Sequence, residues 1–285
     1  MFSFEVKATY LPLCQLNKPK KKTLGINAEV MPDSGKNIRF YDFLGDTLIN
    51  GRPMVQINLS GHICDNNNPT GAIMEEEDLK PIVDLVIKHD LFVITDEIYS
   101  ELNYNGKPHV SIASFPGMKE RTVFINGFSK SHAMTGWRLG YACAPEIIIK
   151  QMLKIHQFAI MCAPTASQYA AITAIRDCDE DVAHMRDEYN DRRRYLLNRF
   201  KQMNIKCFEP YGAFYIFPSI AEFGMTSDEF CTTLLKEKKV AVVPGTAFGE
   251  SGEGNVRISY AYSLENLKKA MDLIEEFVNE LRKKA

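Results

Sequence analysis

The middle of the chain alternates an amphipathic segment with short runs that are almost entirely apolar. From Glu75 to His89, apolar residues recur at helical spacing behind an acidic first turn, which suits the positive end of a helix dipole. Leu91–Thr95 is an apolar run, the pattern of a parallel strand buried on both faces. Arg121–Asn126 and Leu139–Ala144 repeat it. This alternation predicts an α/β sheet with helices on both faces.

The C-terminal half is predicted to be helical first and mixed afterwards. Three helices are expected at Glu146–Phe158, Thr165–Ile175 and Glu180–Met203. Short strands and helices then alternate, with strands at Ala213–Phe217, Val240–Val243 and Val256–Tyr260 and helices at Ser227–Lys236 and Leu264–Leu281. This order is typical of a smaller α+β domain.

A division into three parts follows from these patterns. Residues 1–52 lack clear periodicity and are predicted to be an N-terminal arm with one short helix around Phe40–Ile49. Residues 53–162 would form a large domain and residues 163–285 a small one, with the boundary near Met161–Pro164. The arginine run Arg192–Arg194 is predicted to lie on a solvated helix face.

Charge and cysteine content exclude several classes of function. The net charge of -2, from 34 basic and 36 acidic residues, gives no footprint for nucleic acid or an anionic membrane, so small molecules or copies of this chain are the expected partners. The seven cysteines are scattered without metal-ligand spacing, which predicts reduced thiols, a cytoplasmic protein and no metal. No apolar run reaches the roughly 20 residues that cross a bilayer.

Three polar segments stand where an open α/β sheet places its ligands. Asn67–Gly71 is a turn before a helix, although a plain turn explains it equally well. Asp96–Tyr99 follows a buried strand, where Asp96 could instead cap a following helix. Ser129 and Lys130 follow the next strand, and Arg138 comes eight residues after Lys130. Each segment alone is weak, but their order is informative.

This order resembles the class I and II pyridoxal-phosphate-dependent aminotransferases, and in particular the aspartate aminotransferase-like enzymes of fold type I. The resemblance runs from about Asn66 onwards and includes Gly212–Tyr215, Val243–Gly245 and Val256–Tyr260. It implies a large domain with a mixed, mostly parallel sheet and helices on both faces, plus a smaller α+β C-terminal domain. It also implies pyridoxal 5'-phosphate as the cofactor.

The resemblance assigns roles to individual residues around that cofactor. Lys130 would be the catalytic lysine, which holds the cofactor as a Schiff base and then shuttles a proton as the free amine. Asp96 would keep the pyridine nitrogen protonated, so that the ring can accept electrons. Tyr99 and Asn68 would donate hydrogen bonds to the ring oxygen.

Further residues are assigned to the phosphate and to the substrate. Arg138, together with the Ser129 hydroxyl, would bind the cofactor phosphate, and Arg257 would bind the substrate α-carboxylate in a forked manner. Gly61, at the end of a strand-like segment, resembles a glycine that lies near that carboxylate, and Asn68 would also face the substrate. Three aromatic residues, Tyr211, Phe214 and Tyr215, are predicted to be core or interface residues.

The sequence departs from the family pattern before Asn67. A long segment with a phosphate-binding loop and a ring-stacking aromatic normally lies there, but only five residues separate Gly61 from Asn67. The expectation is therefore a large domain that lacks part of its N-terminal half, with an exposed strand edge, a weaker phosphate site and one uncovered cofactor face.

Several functions remain open at this stage. The leading hypothesis is an aminotransferase that moves an amino group from an L-amino acid to a 2-oxo acid and forms a homodimer. A β-lyase or a cyclopropane-forming, ACC-synthase-like enzyme would use the same lysine chemistry. A catalytically impaired remnant that dimerises with a full-length relative is the alternative from another class. Aspartate, alanine, aromatic and kynurenine donors are all compatible with the sequence.

Overall fold

The computed structural model describes residues 48–49, 52–55 and 68–284. These residues divide into two compact units, each assembled from separate stretches of chain. The first unit contains the strands before residue 56 together with Met74–Ile98 and Val110–Asp179. The second contains residues 68–73, Tyr99–His109 and residues 180–284. Each unit has its own sheet and its own core.

A five-stranded mixed sheet organises the first unit. Its strands, in both chain and spatial order, are β1 (Leu48–Ile49), β2 (Arg52–Val55), β3 (Phe92–Asp96), β4 (Thr122–Gly127) and β5 (Gly140–Cys143). Strands β2, β3 and β4 run parallel to one another, whereas β1 and β5 each pair antiparallel with their neighbour. The edge of β3 opposite β4 is therefore paired with β2 at Met54↔Phe92 and Val55↔Val93.

Strand β3 and the start of β4 have the burial that their apolar sequences predict, whereas Phe124 and Ile125 of β4 are only half-buried. Phe92, Val93 and Val123 are at most 4% exposed. The third predicted strand differs, because the chain returns to the sheet directly through residues 128–139 rather than over a crossover helix. A direct return of this kind gives an antiparallel strand, and β5 is only half-buried.

Four helices complete the first unit: α1 (Glu76–Lys88), α2 (Phe128–Ser131), α3 (Glu146–Ala159) and α4 (Thr165–Asp177). Helix α1 begins with a reciprocal capping box between Glu75 and Asp78, which satisfies donors at the helix start. It buries the predicted apolar stripe of Leu79, Ile82, Val83 and Val86. The predictions of α1, α3 and α4 are confirmed to within one or two residues at each end.

The second unit packs three helices around a small antiparallel sheet. The helices are α5 (Asp179–Gln202), α6 (Ser227–Lys238) and α7 (Leu264–Lys284), and the strands are β6 (Tyr215–Ile216), β7 (Val243–Pro244) and β8 (Val256–Ser259), in the order β6-β8-β7. Their common core includes Leu196, Phe200, Leu234 and Phe277, each at most 2% exposed. Thr226 caps the start of helix α6, and its side chain accepts from the Glu229 backbone N–H.

Three local predictions fail in the second unit. The strand predicted at Val240–Val243 is wrong except for its last residue, because β7 spans Val243–Pro244. Strand β6 is shorter than Ala213–Phe217 because Ala213 adopts a left-handed conformation with φ +56°. Arg193, predicted to be solvated, is 5% exposed because its guanidinium turns inward to Glu209 and the Pro210 carbonyl. Its neighbours Arg192 and Arg194 instead pair within the helix with Glu188 and Asp191.

The N-terminal predictions are largely outside the described residues. The helix around Phe40–Ile49 falls there except for Leu48–Ile49, which form β1 instead. Within residues 68–284 and the two short strands before them, none of the helices is long and apolar enough to span a bilayer.

Candidate active site

Lys130 lies on α2, the single helical turn that follows β4. The backbone at the end of β4 runs very close to β5, since a Cβ on Gly127 would lie 2.9 Å from the Gly140 Cα. Phe128 and Ser131 are buried, and the two residues between them, Ser129 and Lys130, are half-buried. The sheet thereby presents the lysine at the carboxyl end of a parallel strand, where α/β sheets bind ligands.

Asp96 ends the adjacent strand β3 and interacts electrostatically with Lys130. Partial loss of hydration raises the pKa of the Asp96 carboxyl, although the residue as a whole is exposed. The Ile98 N–H, which donates to Asp96 Oδ1 at 3.1 Å, works against that rise. Glu97 raises the pKa further, and Lys130 lowers it. No helix follows Asp96 directly, so the alternative of a helix cap is wrong.

The neighbouring Glu97 explains why Asp96 keeps its place. Glu97 is 1% exposed, and its Oε1 accepts hydrogen bonds from the hydroxyls of Thr95 at 3.2 Å and Ser111 at 2.8 Å. The Glu97 N–H also donates to the Ile125 carbonyl of β4. These bonds fix the chain on either side of the Asp96 carboxyl.

Arg138 lies at the far end of the connection between α2 and β5. Its backbone is left-handed, with φ +53°, and its Nη1 donates to the Thr135 carbonyl at 2.8 Å. The preceding carbonyl, that of Trp137, accepts from the Ser167 hydroxyl at 2.6 Å. The Trp137 side chain is 47% exposed. The connection is thus held through its backbone, which leaves the Arg138 side chain exposed.

Arg257 of β8 is the centre of the site residues in the second unit. Its Nη1 donates to Asn68 Oδ1 at 2.6 Å. Its guanidinium carbon lies 4.4 Å from the ring centroid of Tyr215 and 4.7 Å from that of Phe248. The Nε atom is buried and has no hydrogen-bond partner. With two rings beside it and one nitrogen engaged, the group retains unused donors for a planar acceptor.

Asn68 is held in place by the turn that it begins. The Gly71 carbonyl accepts from the N–H groups of Tyr211 at 2.9 Å and Gly212 at 2.8 Å. Gly71 has φ +68°, and a Cβ there would lie 2.3 Å from the Pro210 Cβ, so only glycine fits. Because Asn68 Oδ1 accepts from an arginine, its Nδ2 group remains a donor.

Tyr99 completes this group through a tyrosine that the sequence analysis left out. The hydroxyls of Tyr99 and Tyr215 lie 3.2 Å apart, and the two rings meet edge to face. Tyr215 is 8% exposed and also covers Arg257. Its place follows from the register of β6 with β8, which pairs Tyr215 with Ser259 and so sets it diagonally next to Arg257; the sequence alone carries no signal of that register.

The predicted site residues therefore fall into two groups. Asp96, Ser129, Lys130 and Arg138 belong to the first unit, where Asp96 and Lys130 interact electrostatically. Asn68, Tyr99 and Arg257 belong to the second, where Asn68 contacts Arg257 and Tyr215 contacts both Tyr99 and Arg257. Gly61 lies outside the described residues.

The family model that matches this chain is "Aminotransferase class I and II", and the match covers residues 62–274, which include every site residue in both groups. The chain belongs to the class I and II aminotransferases. Members of this family use pyridoxal phosphate. The predicted family and its cofactor are thereby confirmed at the level of the family.

Individual aminotransferases are closely similar over the same region. An aspartate aminotransferase of Pyrococcus abyssi is 49% identical over 215 residues, which are 75% of this chain and 55% of that protein. An aromatic-amino-acid aminotransferase of Thermococcus litoralis is 47% identical over 75% of this chain and 56% of its own length. The chain thus spans about half the length of the curated relatives that it matches.

A solved structure gives the same result for the fold. The aromatic aminotransferase from Pyrococcus horikoshii superposes with a TM-score of 0.76 at 45% identity, over 84% of this aminotransferase chain and 62% of that structure. The predicted fold class, a fold type I α/β architecture with an incomplete large-domain sheet and a smaller α+β part, is confirmed.

Proposed function

We propose that this chain is a pyridoxal-phosphate-dependent aminotransferase that moves an amino group from an L-amino acid to a 2-oxo acid. The observation that carries the proposal is the placement of Asp96 at the end of β3 and of Lys130 just after the parallel neighbour β4, at the same edge of the sheet, where the two charges interact electrostatically. A lysine and a carboxylate at this edge supply the amine and the anion that this chemistry needs.

Two features of the structure fit the cofactor and its substrate. The Asp96 carboxyl has lost hydration, so its pKa is raised, and a cation placed beside it would stabilise the charged form. The pyridinium nitrogen of pyridoxal phosphate is such a cation. Arg257 has a buried Nε that lacks an acceptor, which a carboxylate oxygen would provide. The cofactor, when bound, supplies the ring that accepts electrons from the substrate carbon.

The residues of the first unit would bind the cofactor and move the proton. Asp96 would hold a proton on the pyridine nitrogen. The Lys130 Nζ would bind the cofactor covalently and, as the free amine, take and return the substrate α proton. Arg138 and the Ser129 hydroxyl would bind the phosphate, for which a guanidinium offers two parallel donors.

The residues of the second unit would orient the ring oxygen and the substrate. Tyr99 and the Asn68 amide would donate to the ring oxygen, and the Asn68 oxygen is already engaged by Arg257. Arg257 would bind the α-carboxylate through its unused donors. Gly61 is proposed to lie near the same carboxylate, on the basis of the family resemblance alone.

A homodimer in the cytoplasm is proposed as the working form. Support for association comes from large apolar side chains exposed around α3 and α4, including Phe158 at 95%, Met161 at 77% and Tyr169 at 70%. Large apolar side chains exposed on neighbouring elements favour burial against another chain. The predicted division into residues 1–52, 53–162 and 163–285 is proposed for the domains.

The donor is proposed to be aspartate or an aromatic amino acid, because the relatives carry those names. Two other functions remain as alternatives. A β-lyase or ACC-synthase-like enzyme shares the lysine chemistry. A remnant that dimerises with a full-length relative agrees with the short span of this chain, whereas the presence of Lys130, Asp96 and Arg257 together favours an active site.

An absorption spectrum tests the proposal directly. Purified protein mixed with pyridoxal phosphate should develop a visible band that Lys130→Ala abolishes and Lys269→Ala retains, since Lys269 pairs only with Glu265 on the surface of α7. Absence of a band that depends on Lys130 would shift the conclusion to the remnant. Loss of the band with an amino acid alone and its return with a 2-oxo acid would distinguish the aminotransferase from a β-lyase.

A further inference from the structure

Tyr215 has an unusual position among the residues of the second unit. Its hydroxyl lies 3.2 Å from that of Tyr99, and its ring centroid lies 4.4 Å from the guanidinium carbon of Arg257. The side chain is 8% exposed, so water competes weakly for both contacts. We propose that Tyr215 is a positioning residue that orients the Tyr99 hydroxyl and the Arg257 guanidinium together. This inference rests on the proposed function, which assigns roles to those two groups.

The backbone before Tyr215 is fixed more firmly than a two-residue strand requires. The Ala213 carbonyl accepts from the hydroxyl of Tyr104 and from that of Tyr260 at 3.3 Å. The Ala213 N–H donates to the Leu102 carbonyl, and the Phe214 carbonyl accepts from the Tyr260 N–H. These bonds hold Ala213 in its left-handed conformation, which directs Tyr215 towards Arg257.

The second ring at Arg257 comes from a loop that is equally constrained. Phe248 lies three residues after Gly245 in this loop. Gly245 packs closely on the far side of the loop, since a Cβ there would lie 1.9 Å from the Gly252 carbonyl oxygen. The loop is also joined to α6, because Thr246 Oγ1 donates to Asp228 at 3.0 Å. Tyr215 and Phe248 therefore both lie against Arg257 from well-anchored backbone. The two rings restrict rotation of the Arg257 guanidinium, so its unused Nε–H donor points in a fixed direction.

The hydroxyl of Tyr215 has a separate effect. When the Tyr215 hydroxyl donates to the Tyr99 oxygen, the Tyr99 hydroxyl points its own proton at another acceptor. Because a hydroxyl that accepts a hydrogen bond becomes a stronger donor, Tyr215 strengthens the hydrogen bond that Tyr99 donates. In the proposed function that acceptor is the cofactor ring oxygen. The ring and the hydroxyl of Tyr215 thus act on different partners, and two substitutions separate them.

The experiment compares Tyr215→Leu and Tyr215→Phe with Tyr211→Leu as a matched control. Tyr211 lies on the same segment, but its ring covers Arg193 instead, at 5.3 Å. In cofactor-free protein labelled with ¹⁵N-arginine, the Arg257 Nε–H resonance is assigned by its loss in Arg257→Lys. It should shift in Tyr215→Leu, where the ring current is lost, and stay in place in Tyr211→Leu.

Binding of succinate, a simple carboxylate probe, gives the functional readout. Tyr215→Leu should weaken it about 3- to 30-fold because a guanidinium–ring contact is lost. Tyr215→Phe should restore affinity to within about twofold, since the ring remains. With cofactor bound, Tyr215→Phe should raise the pH midpoint of the Lys130-dependent absorbance by about 0.4–1 unit, which corresponds to one hydrogen bond.

Each result decides a different claim. If Tyr215→Leu leaves both the Arg257 resonance and the succinate affinity unchanged, Tyr215 does not position Arg257. An unchanged pH midpoint in Tyr215→Phe would refute the effect on Tyr99. If wild-type protein binds neither succinate nor cofactor, the proposed function fails, and the Arg257 resonance still decides the positioning of the guanidinium.

Discussion

Replacement of Arg193 by methionine should destabilise the second unit far more than the same change at Arg194. Arg193 is 5% exposed and donates to Asn190 at 2.9 Å, to Glu209 at 3.0 Å and to the Pro210 carbonyl at 2.9 Å. Its guanidinium carbon also lies 5.6 Å from the centroid of Tyr104. Methionine keeps much of the length and apolar contact but removes every donor.

The size of the effect follows from these contacts. A hydrogen bond from a charged donor contributes about 1.5–3 kcal/mol. Each ring contact adds about 0.5–1 kcal/mol. The ion pair with Glu209 adds little because that carboxylate is half-exposed. These contributions overlap, so we expect a loss of about 3 kcal/mol in the free energy of unfolding, mostly from leaving the Pro210 carbonyl unpaired.

Urea unfolding followed by tyrosine fluorescence and circular dichroism measures this loss. With a slope near 3 kcal/mol per molar, the midpoint should fall by about 1 M. Arg194→Met is the control, because Arg194 is 65% exposed and pairs only with Asp191 within α5; its change should stay under about 0.5 kcal/mol. Equal midpoints for the two variants would refute a structural role for the buried guanidinium.

Three further predictions follow. Gly245→Ala should lower the free energy of unfolding by more than about 2 kcal/mol, and by displacing Phe248 it should also lower the succinate affinity. Gly136→Ala is the control, because a Cβ there meets open space and should change the thermal midpoint little; equal midpoints for the two variants would contradict the close contact between Gly245 and Gly252. Hydrogen bonds from the Ser227 and Gly254 N–H groups lower the pKa of Glu253, so the ionised carboxylate should stabilise the fold above about pH 4.5 and lose this effect as the pH falls through the lower folded pKa. The thermal midpoints of wild type and Glu253→Gln should therefore converge in acid, and a difference that stays constant with pH would disprove this. Burial raises the pKa of the Cys231 thiol to about 11, so at pH 8 a thiol reagent should modify the exposed Cys143 well before Cys231. Peptide mass spectrometry measures the two rates, and equal rates would contradict the burial of Cys231.

The sequence predicted the elements whose signal is local and periodic. Helix α1 has an apolar stripe and an acidic first turn, and β3 and β4 each contain three consecutive apolar residues, so their type and position follow from local pattern. The direction of β5 could not be obtained in this way. An apolar run has the same composition whether it runs parallel or antiparallel, and the connection before β5 decides between them.

The candidate site shows the same limit at the level of side chains. Lys130 and Asp96 were predicted because they directly follow buried strands, and their interaction depends on the register of β3 with β4. Arg193 and Tyr215 were missed because their environment is set by residues far away in the chain. An arginine run on a charged helix and an aromatic run in a short strand give no local sign of a partner that lies many residues away.

The division of the chain between the two units has a consequence for the order of folding. The second unit buries Leu102 and Tyr104 in a core otherwise drawn from residues 196–278. During synthesis, every described stretch of the first unit emerges before α6 and α7 exist. Leu102 and Tyr104 therefore wait for their core partners while about 90 to 170 further residues are made, at about 5–20 residues per second. This interval of several seconds exposes an apolar segment to chaperones, and slower translation after residue 110 lengthens it.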